Sequence, residues 1–296
     1  MDEKATESRA GNPGRLVSEF SSLVTLPHTA FALPFALTAV VLASYETRLE
    51  FVSLVLVVAA FTGARSAAMA FNRLVDHRLD RKNPRTRARH LPAGKMTRSR
   101  VWLFVAFSVA IFEAAAYLLG PLCFVLSPVA LAIIFFYSYT KFFTSSSHLV
   151  LGLALSIAPV GAYIAVTGKL SLGILVLALA VVFWVAGFDI IYSLQDEEFD
   201  RKQGLFSLPA RLGKKNALLI SRICHLLSPA ALAAVGFFFP VGAFYWSSCL
   251  VIAIMLAYEH TLVKPDDLSR VNTAFFTVNG TVSILFFVLV LVDRLA

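Results

Sequence analysis

Charged residues divide this chain into long apolar intervals. No Asp, Glu, Lys or Arg lies between Glu19 and Glu46, Glu113 and Lys141, Lys141 and Lys169, Lys169 and Asp189, Arg222 and Glu259, or Arg270 and Asp293. A bilayer core takes about 20 apolar helical residues, so each interval holds one or two spans. The Glu113–Lys141 interval holds the end of one span and, after Gly120-Pro121, a complete second. The Arg222–Glu259 interval is too long for one span and breaks near Gly236 to Gly242, around Pro240. The pattern predicts an all-α polytopic membrane protein with nine helices, over 21–44, 52–75, 101–119, 121–140, 149–167, 170–193, 217–236, 239–258 and 272–292.

Composition agrees. The 296 residues are 58% hydrophobic and 15% charged, with a mean hydropathy of +0.76, whereas soluble domains carry about 45–50% apolar and about 25% charged residues. That excludes a water-soluble enzyme, a disordered chain and a secreted disulfide scaffold. Cys123, Cys224 and Cys249 fall in separate predicted spans without metal-ligand spacing and read as small apolar packers. Residues 1–19 form a polar tail ahead of a membrane domain over 20–296; the first apolar stretch is long and lacks a small-residue cleavage site, so no cleavable signal peptide is expected.

The net charge of +8 is distributed by side. Lys and Arg crowd between Arg73 and Arg100 and between Arg201 and Arg222, while Arg48, Lys169 and Arg294 alone fall on the opposite face. The positive-inside rule then places the N-terminus and the rich loops in the cytoplasm of a bacterial-type inner membrane. Nucleic acid is not an expected partner. Facing anionic lipid accounts for basic charge, but not for the aspartates mixed into it.

Asn72, Asp76 and Asp80 are spaced i, i+4, i+8 at the end of the second predicted span. Each four-residue step turns a helix by about 40° and lifts it about 6 Å, so the three oxygen-bearing side chains share one face. Asp189, Tyr192, Asp196 and Asp200 follow i, i+3, i+7, i+11 at the end of the sixth, again on one helical face, with Asp189 inside the apolar run. An intramembrane carboxylate is expensive and marks a functional site by default. A single such cluster reads as a solvated helix end. Two, on the same side and each followed by a basic stretch containing Pro or Gly, suit a diphosphate bridged by Mg²⁺, which takes one or two carboxylates and completes its shell with phosphate and water. Bound metal neutralises charge on a departing diphosphate, and nearby Arg and Lys add fixed positive charge. A diphosphate held at the lipid boundary with apolar helices behind it implies a polyprenyl diphosphate.

At these residues the chain resembles the UbiA superfamily of intramembrane prenyltransferases. Its NxxxDxxxD motif is matched by Asn72, Asp76 and Asp80, and its DxxY element with DxxxD by Asp189, Tyr192, Asp196 and Asp200. The resemblance implies nine transmembrane helices around a central cavity that opens laterally to lipid under a cytoplasmic cap. It implies that Asn72, Asp76, Asp80, Asp196 and Asp200 hold Mg²⁺ and diphosphate, with Asp189 supporting the second group. It sets Arg65, seven residues before Asn72, near the acceptor's polar group, Lys141 at the diphosphate and Tyr137 beside the acceptor ring. Arg65 is also the one basic residue well inside a predicted span, and a guanidinium pairs bidentately with a carboxylate, which favours an aromatic acid acceptor. The implied reaction is loss of diphosphate, attack of the phenol ring on the allylic cation, and loss of the ring proton; the sequence does not identify the base, for which Asp189 is one candidate.

Two acceptors stay open. The run from Asn72 to Lys95 is similar to 4-hydroxybenzoate polyprenyltransferases of ubiquinone synthesis. The stretch around His28 and the segment from Lys141 to Ala162 resemble enzymes prenylating a dihydroxynaphthoate for menaquinone. A transporter with an acidic ion path is the competing non-enzyme reading, opposed by the Arg and Lys around the acids. His28 and His148 read as helix-end capping or packing, Glu113 as a partner for another helix or a lumen, and Pro159 with Gly161 as a kink in the fifth span. The segment from Gly204 to Gly213 reads as a loop, with Arg211, Lys214 and Lys215 facing diphosphate or lipid headgroups.

Overall fold

The structure is a computed structural model describing residues 26–296, with side chains from Ala32 onward; the N-terminal tail, the predicted helix start at 21–25 and the His28 side chain lie outside the described residues. Ten α-helices follow in order: α1 (Leu26–Ala43), α2 (Phe51–Lys82), α3 (Arg98–Leu119), α4 (Pro121–Thr140), α5 (Ser147–Thr167), α6 (Leu172–Ser193), α7 (Glu197–Gln203), α8 (Leu208–Val235), α9 (Ala243–Leu262) and α10 (Asn279–Leu295). A 3₁₀ turn (Leu194–Asp196) joins α6 to α7, and a π-helical segment (Thr273–Val278) leads into α10. Among the described residues eight helices are long and apolar enough to cross a membrane, and α1 is a ninth, shorter in its described part. All-helical architecture is the expected outcome where backbone groups must find partners without water.

Three local expectations change. Helix α2 runs to Lys82 rather than ending at 75, so the whole first acidic motif rides on one rigid helix. The second does not lie on one uninterrupted helix, because the chain tightens into the 3₁₀ turn before restarting as α7. The stretch from Gly204 to Gly213 is a loop only as far as Ser207; α8 begins at Leu208 and bends at Gly213, whose φ of 76° suits a residue without a Cβ.

Helix α6 is the most buried of the eight longer spans and packs between α5 and α8. Glycines make both contacts close. A Cβ on Gly152 of α5 would lie 2.4 Å from the Val182 carbonyl oxygen, and one on Gly187 of α6 would lie 2.0 Å from Cδ2 of His225. Small residues that let helices approach replace the hydrophobic drive that lipid removes. Phe35 of α1 packs on Trp184 at 4.7 Å and on Phe286 at 5.4 Å, where α10 closes the bundle against α1; such pairs add about 0.5–1.5 kcal/mol each. Leu103, Phe107, Val125, Phe136 and Leu226 are exposed and form the lipid-facing surface.

Polar groups buried in this core are linked. The Trp184 indole donates to Asn279 Oδ1 at 2.7 Å, and Asn279 Nδ2 donates to Glu259 Oε1 at 2.8 Å. His225 Nδ1 stands 3.7 Å from Glu259 Oε2. Asn279 Nδ2 also donates to the Ala274 carbonyl at 3.0 Å, a five-residue reach that secures the wide π turn.

Candidate active site

The first motif extends α2 beyond the apolar layer. Asn72 Nδ2 donates to Ser138 Oγ of α4 at 3.4 Å. Asp76 is buried and ion-paired with Lys141 just after α4. Asp80, 5% exposed, takes Arg89 Nη1 on its two oxygens at 2.9 and 3.1 Å. The loop after α2 then turns toward the second motif. Asn83 Nδ2 donates to Asp196 Oδ1 at 3.1 Å, Arg85 Nε donates to the same oxygen at 3.1 Å, and Arg85 Nη2 pairs with Asp196 Oδ2. Arg85 Nη1 donates to the Tyr192 hydroxyl at 2.8 Å, and Lys82 Nζ to Gln203 Oε1 at 3.2 Å. Charged guanidinium–carboxylate bonds of this kind are roughly twice as strong as neutral ones. The Tyr192 ring is itself stacked on Phe275 of the π segment, 4.1 Å between centroids. Asp200, on α7, has Asp196 and Lys141 as charged neighbours and lies near His148.

Beneath these pairs lies an apolar cavity of about 560 Å³ reaching from Arg73 and Arg89 into the bundle. Asn72, Arg65, Tyr137, Asp189 and Tyr192 line it, while Asp76, Asp80, Lys141 and Asp196 belong to the paired layer at its polar end, with Asp200 near Asp196 but outside those pairs. Arg65 Nε is buried without a hydrogen-bond partner, which is costly unless a ligand completes it, and Tyr137 is its neighbour. Arg73, Arg85 and Arg89, together with Asn83, are site residues that spacing alone did not select; they sit in the same basic run as many other cations. His148 is more than a helix-end packer: its Nδ1 lies 2.6 Å from Asp189 Oδ2. Glu113 accepts from Ser127 Oγ at 2.6 Å. Arg211 covers the Phe206 ring at 3.8 Å and Lys214 stands 3.7 Å from Glu197. The three cysteines are free.

The donor set suits Mg²⁺: carboxylate and amide oxygens from α2 on one side and from the 3₁₀ turn and α7 on the other, with no sulfur or imidazole among the motif residues. Among the described residues no three of His, Cys, Asp and Glu converge into a closed metal cage. A Mg²⁺ site does not need one, since phosphate and water fill most of its octahedron.

Comparison with known proteins bears on the family and the fold. The model of the UbiA prenyltransferase family matches residues 32–288. A 4-hydroxybenzoate octaprenyltransferase of Vibrio parahaemolyticus is 29% identical over 266 residues, covering 90% of both chains. One of Tolumonas auensis is 31% identical, over 75% of this chain and 77% of its own. The solved apo structure of a UbiA homolog from Aeropyrum pernix K1 superposes with a TM-score of 0.82 at 36% identity, covering 90% of this chain and 98% of that one. A UbiA homolog from Archaeoglobus fulgidus bound to GPP and Mg²⁺ shares the fold, with a TM-score of 0.72 at 19% identity, over 94% of this chain and 100% of its own. With apolar helices on every side of a cavity headed by two aspartate motifs, and with a family match across nearly all the described residues, this chain belongs to the UbiA prenyltransferase family and is an integral membrane prenyltransferase.

Proposed function

We propose that the protein transfers a polyprenyl group from a polyprenyl diphosphate to the ring of 4-hydroxybenzoate in a Mg²⁺-dependent reaction. The observation that carries this reading is the stacking of two environments: paired acids and bases at the polar end of the cavity, and an unpartnered guanidinium, Arg65, among apolar walls below. The names of the relatives support the benzoate acceptor. The excess of Lys and Arg at the site's end of the bundle supports a cytoplasmic active site.

Bound at Asn72, Asp76, Asp80, Asp196 and Asp200, Mg²⁺ would supply charge neutralisation to the departing diphosphate. The residues themselves do the rest. Lys141, Arg85 and Arg89, which neutralise the acids here, turn to the phosphate oxygens when the acids take up cation. Arg65 pairs with the acceptor carboxylate and Tyr137 flanks its ring. The apolar wall keeps water from the allylic cation. The C1–O bond breaks with its electron pair going to diphosphate, a ring π pair forms the new C–C bond, and the ring carbon's hydrogen leaves as a proton to Asp189.

The test is mass spectrometry of products from purified protein given Mg²⁺ and geranyl diphosphate, with 4-hydroxybenzoate and 1,4-dihydroxy-6-naphthoate in competition. Prenylated benzoate is expected. Exclusive naphthoate product would overturn the acceptor, and transport of unmodified solute without product would overturn the activity.

A further inference from the structure

His148 has both ring nitrogens engaged, in opposite directions. Its Nε2 receives the backbone N–H of Leu208 at 3.4 Å, and its Nδ1 meets Asp189 Oδ2 at 2.6 Å. Leu208 is the first residue of α8, and the opening N–H groups of a helix have no partner within it. An imidazole nitrogen that accepts carries no proton, so the neutral ring has its hydrogen on Nδ1 and donates it to Asp189; the tautomer is assigned from these partners. The ring is 4% exposed, and Gly152 one turn along α5 draws α5 against α6, which holds the two side chains in register. Asp189 lines the cavity, and no hydrogen bond to its second oxygen, Oδ1, occurs among the described residues. Tyr137, also on the cavity wall, has Asp189, Asp76, Arg73 and Arg65 in its electrostatic surroundings.

We propose that His148 is a positioning residue: oriented by the Leu208 amide, it anchors Asp189 through Oδ2 and so presents Oδ1 to the ring hydrogen that prenylation must remove. This rests on the prenyl-transfer reading with Asp189 as base. One fixed oxygen hydrogen-bonded to a neutral imidazole leaves the other as the single proton acceptor at the apolar wall, a geometry a freely rotating carboxylate does not keep. The proton balance is simple: ring C–H to Asp189 Oδ1, the C–H electron pair returning to the ring, and release of the proton once product departs.

The amide side chains of Asn and Gln separate the two contacts of the histidine. In His148→Asn the amide nitrogen falls near Nδ1 and keeps a donor for Asp189, while His148→Gln reaches the Nε2 position and keeps an acceptor for Leu208. Three readouts apply: turnover, affinity for a non-reactive thiolo-diphosphate analogue of the donor, and the isotope effect with ring-deuterated acceptor. The ring used is whichever one the wild type prenylates, so failure of the benzoate reading leaves the measurement intact. We expect His148→Gln to lose about 10–100-fold in turnover, with analogue binding unchanged and a primary isotope effect emerging as proton removal becomes slow. His148→Asn keeps most of the turnover with an isotope effect near that of the wild type. The reverse order would overturn the proposal, because a histidine that merely docks α8 needs the Leu208 contact. So would loss of analogue binding in both variants, or a turnover loss without any change in isotope effect.

Discussion

Asn83 donates its side-chain amide to Asp196 across 113 residues of chain, at 3.1 Å. That bond, with Arg85 on both oxygens of the same carboxylate, joins the loop after the first acidic motif to the second. The two motifs therefore form one polar layer, in which Asp76, Asp80 and Asp196 are each balanced by a base.

Loss of one carboxylate unbalances that layer without disturbing the apolar bundle. Asp76→Ala and Asp196→Ala are each expected to lower turnover about a hundredfold or more, with membrane expression and melting temperature near wild type. Full chelation of Mg²⁺ abolishes product in the unmodified protein. Product assays alongside thermal unfolding in detergent check this, and wild-type turnover in both variants would remove the aspartates from the reaction.

Arg85 spans Asp196 and Tyr192 with three nitrogens. Arg85→Lys keeps the charge and loses the fork, and a point charge does not replace a planar bidentate donor. Its donor KM is expected to rise nearly as far as in Arg85→Ala, and full rescue by lysine would show that charge alone matters.

Arg65 should act on the acceptor alone. Arg65→Gln removes a charged hydrogen bond of about 1.5–3 kcal/mol, so the acceptor KM should rise by about 10–100-fold while donor KM holds. A phenol acceptor lacking the carboxylate should show no difference between variant and wild type. Equal losses with both acceptors would place Arg65 elsewhere in the mechanism.

Gly187→Ala tests the α6–α8 contact, where the added methyl meets the His225 ring. Overpacking of this kind costs about 1–3 kcal/mol, and the variant should unfold at lower temperature with diminished turnover, because α6 carries Asp189 and Tyr192.

On the face opposite the site, the loop residue Glu46 accepts from Tyr163 and pairs with Lys169 at 2.6 Å. The Lys169 hydrogen bond first, then that of Tyr163, lowers the Glu46 pKa below 4.5. A depressed folded value means the stabilisation is complete above the unfolded pKa of about 4.3 and disappears as pH falls through the lower folded value. Glu46→Gln should therefore melt below wild type at neutral pH and converge with it only once pH has fallen below the depressed folded value. A gap that persists in acid would point to packing rather than charge.

Much of this protein is written linearly. Charge-free intervals and the spacing of Asn72, Asp76 and Asp80 are local properties of one helix, so the spans and the first motif could be read without any partner. The second motif was legible as residues but not as shape, since the 3₁₀ turn at Leu194–Asp196 depends on the loop that Asn83 and Arg85 bring to Asp196. His148 was legible only in part for the same reason: beside a span end it reads as capping or packing, and it does accept the opening N–H of α8, but only the approach of α5 to α6 puts Asp189 against its ring. Glu259 served in the sequence only to end an apolar interval, yet it is wholly buried and bound to Asn279. Helix length, membrane affinity and side-chain periodicity follow from covalent order and the bilayer. Which cation meets which carboxylate, which histidine nitrogen keeps its proton and which arginine stays unpaired depend on distances between helices, and those arise only when the bundle closes.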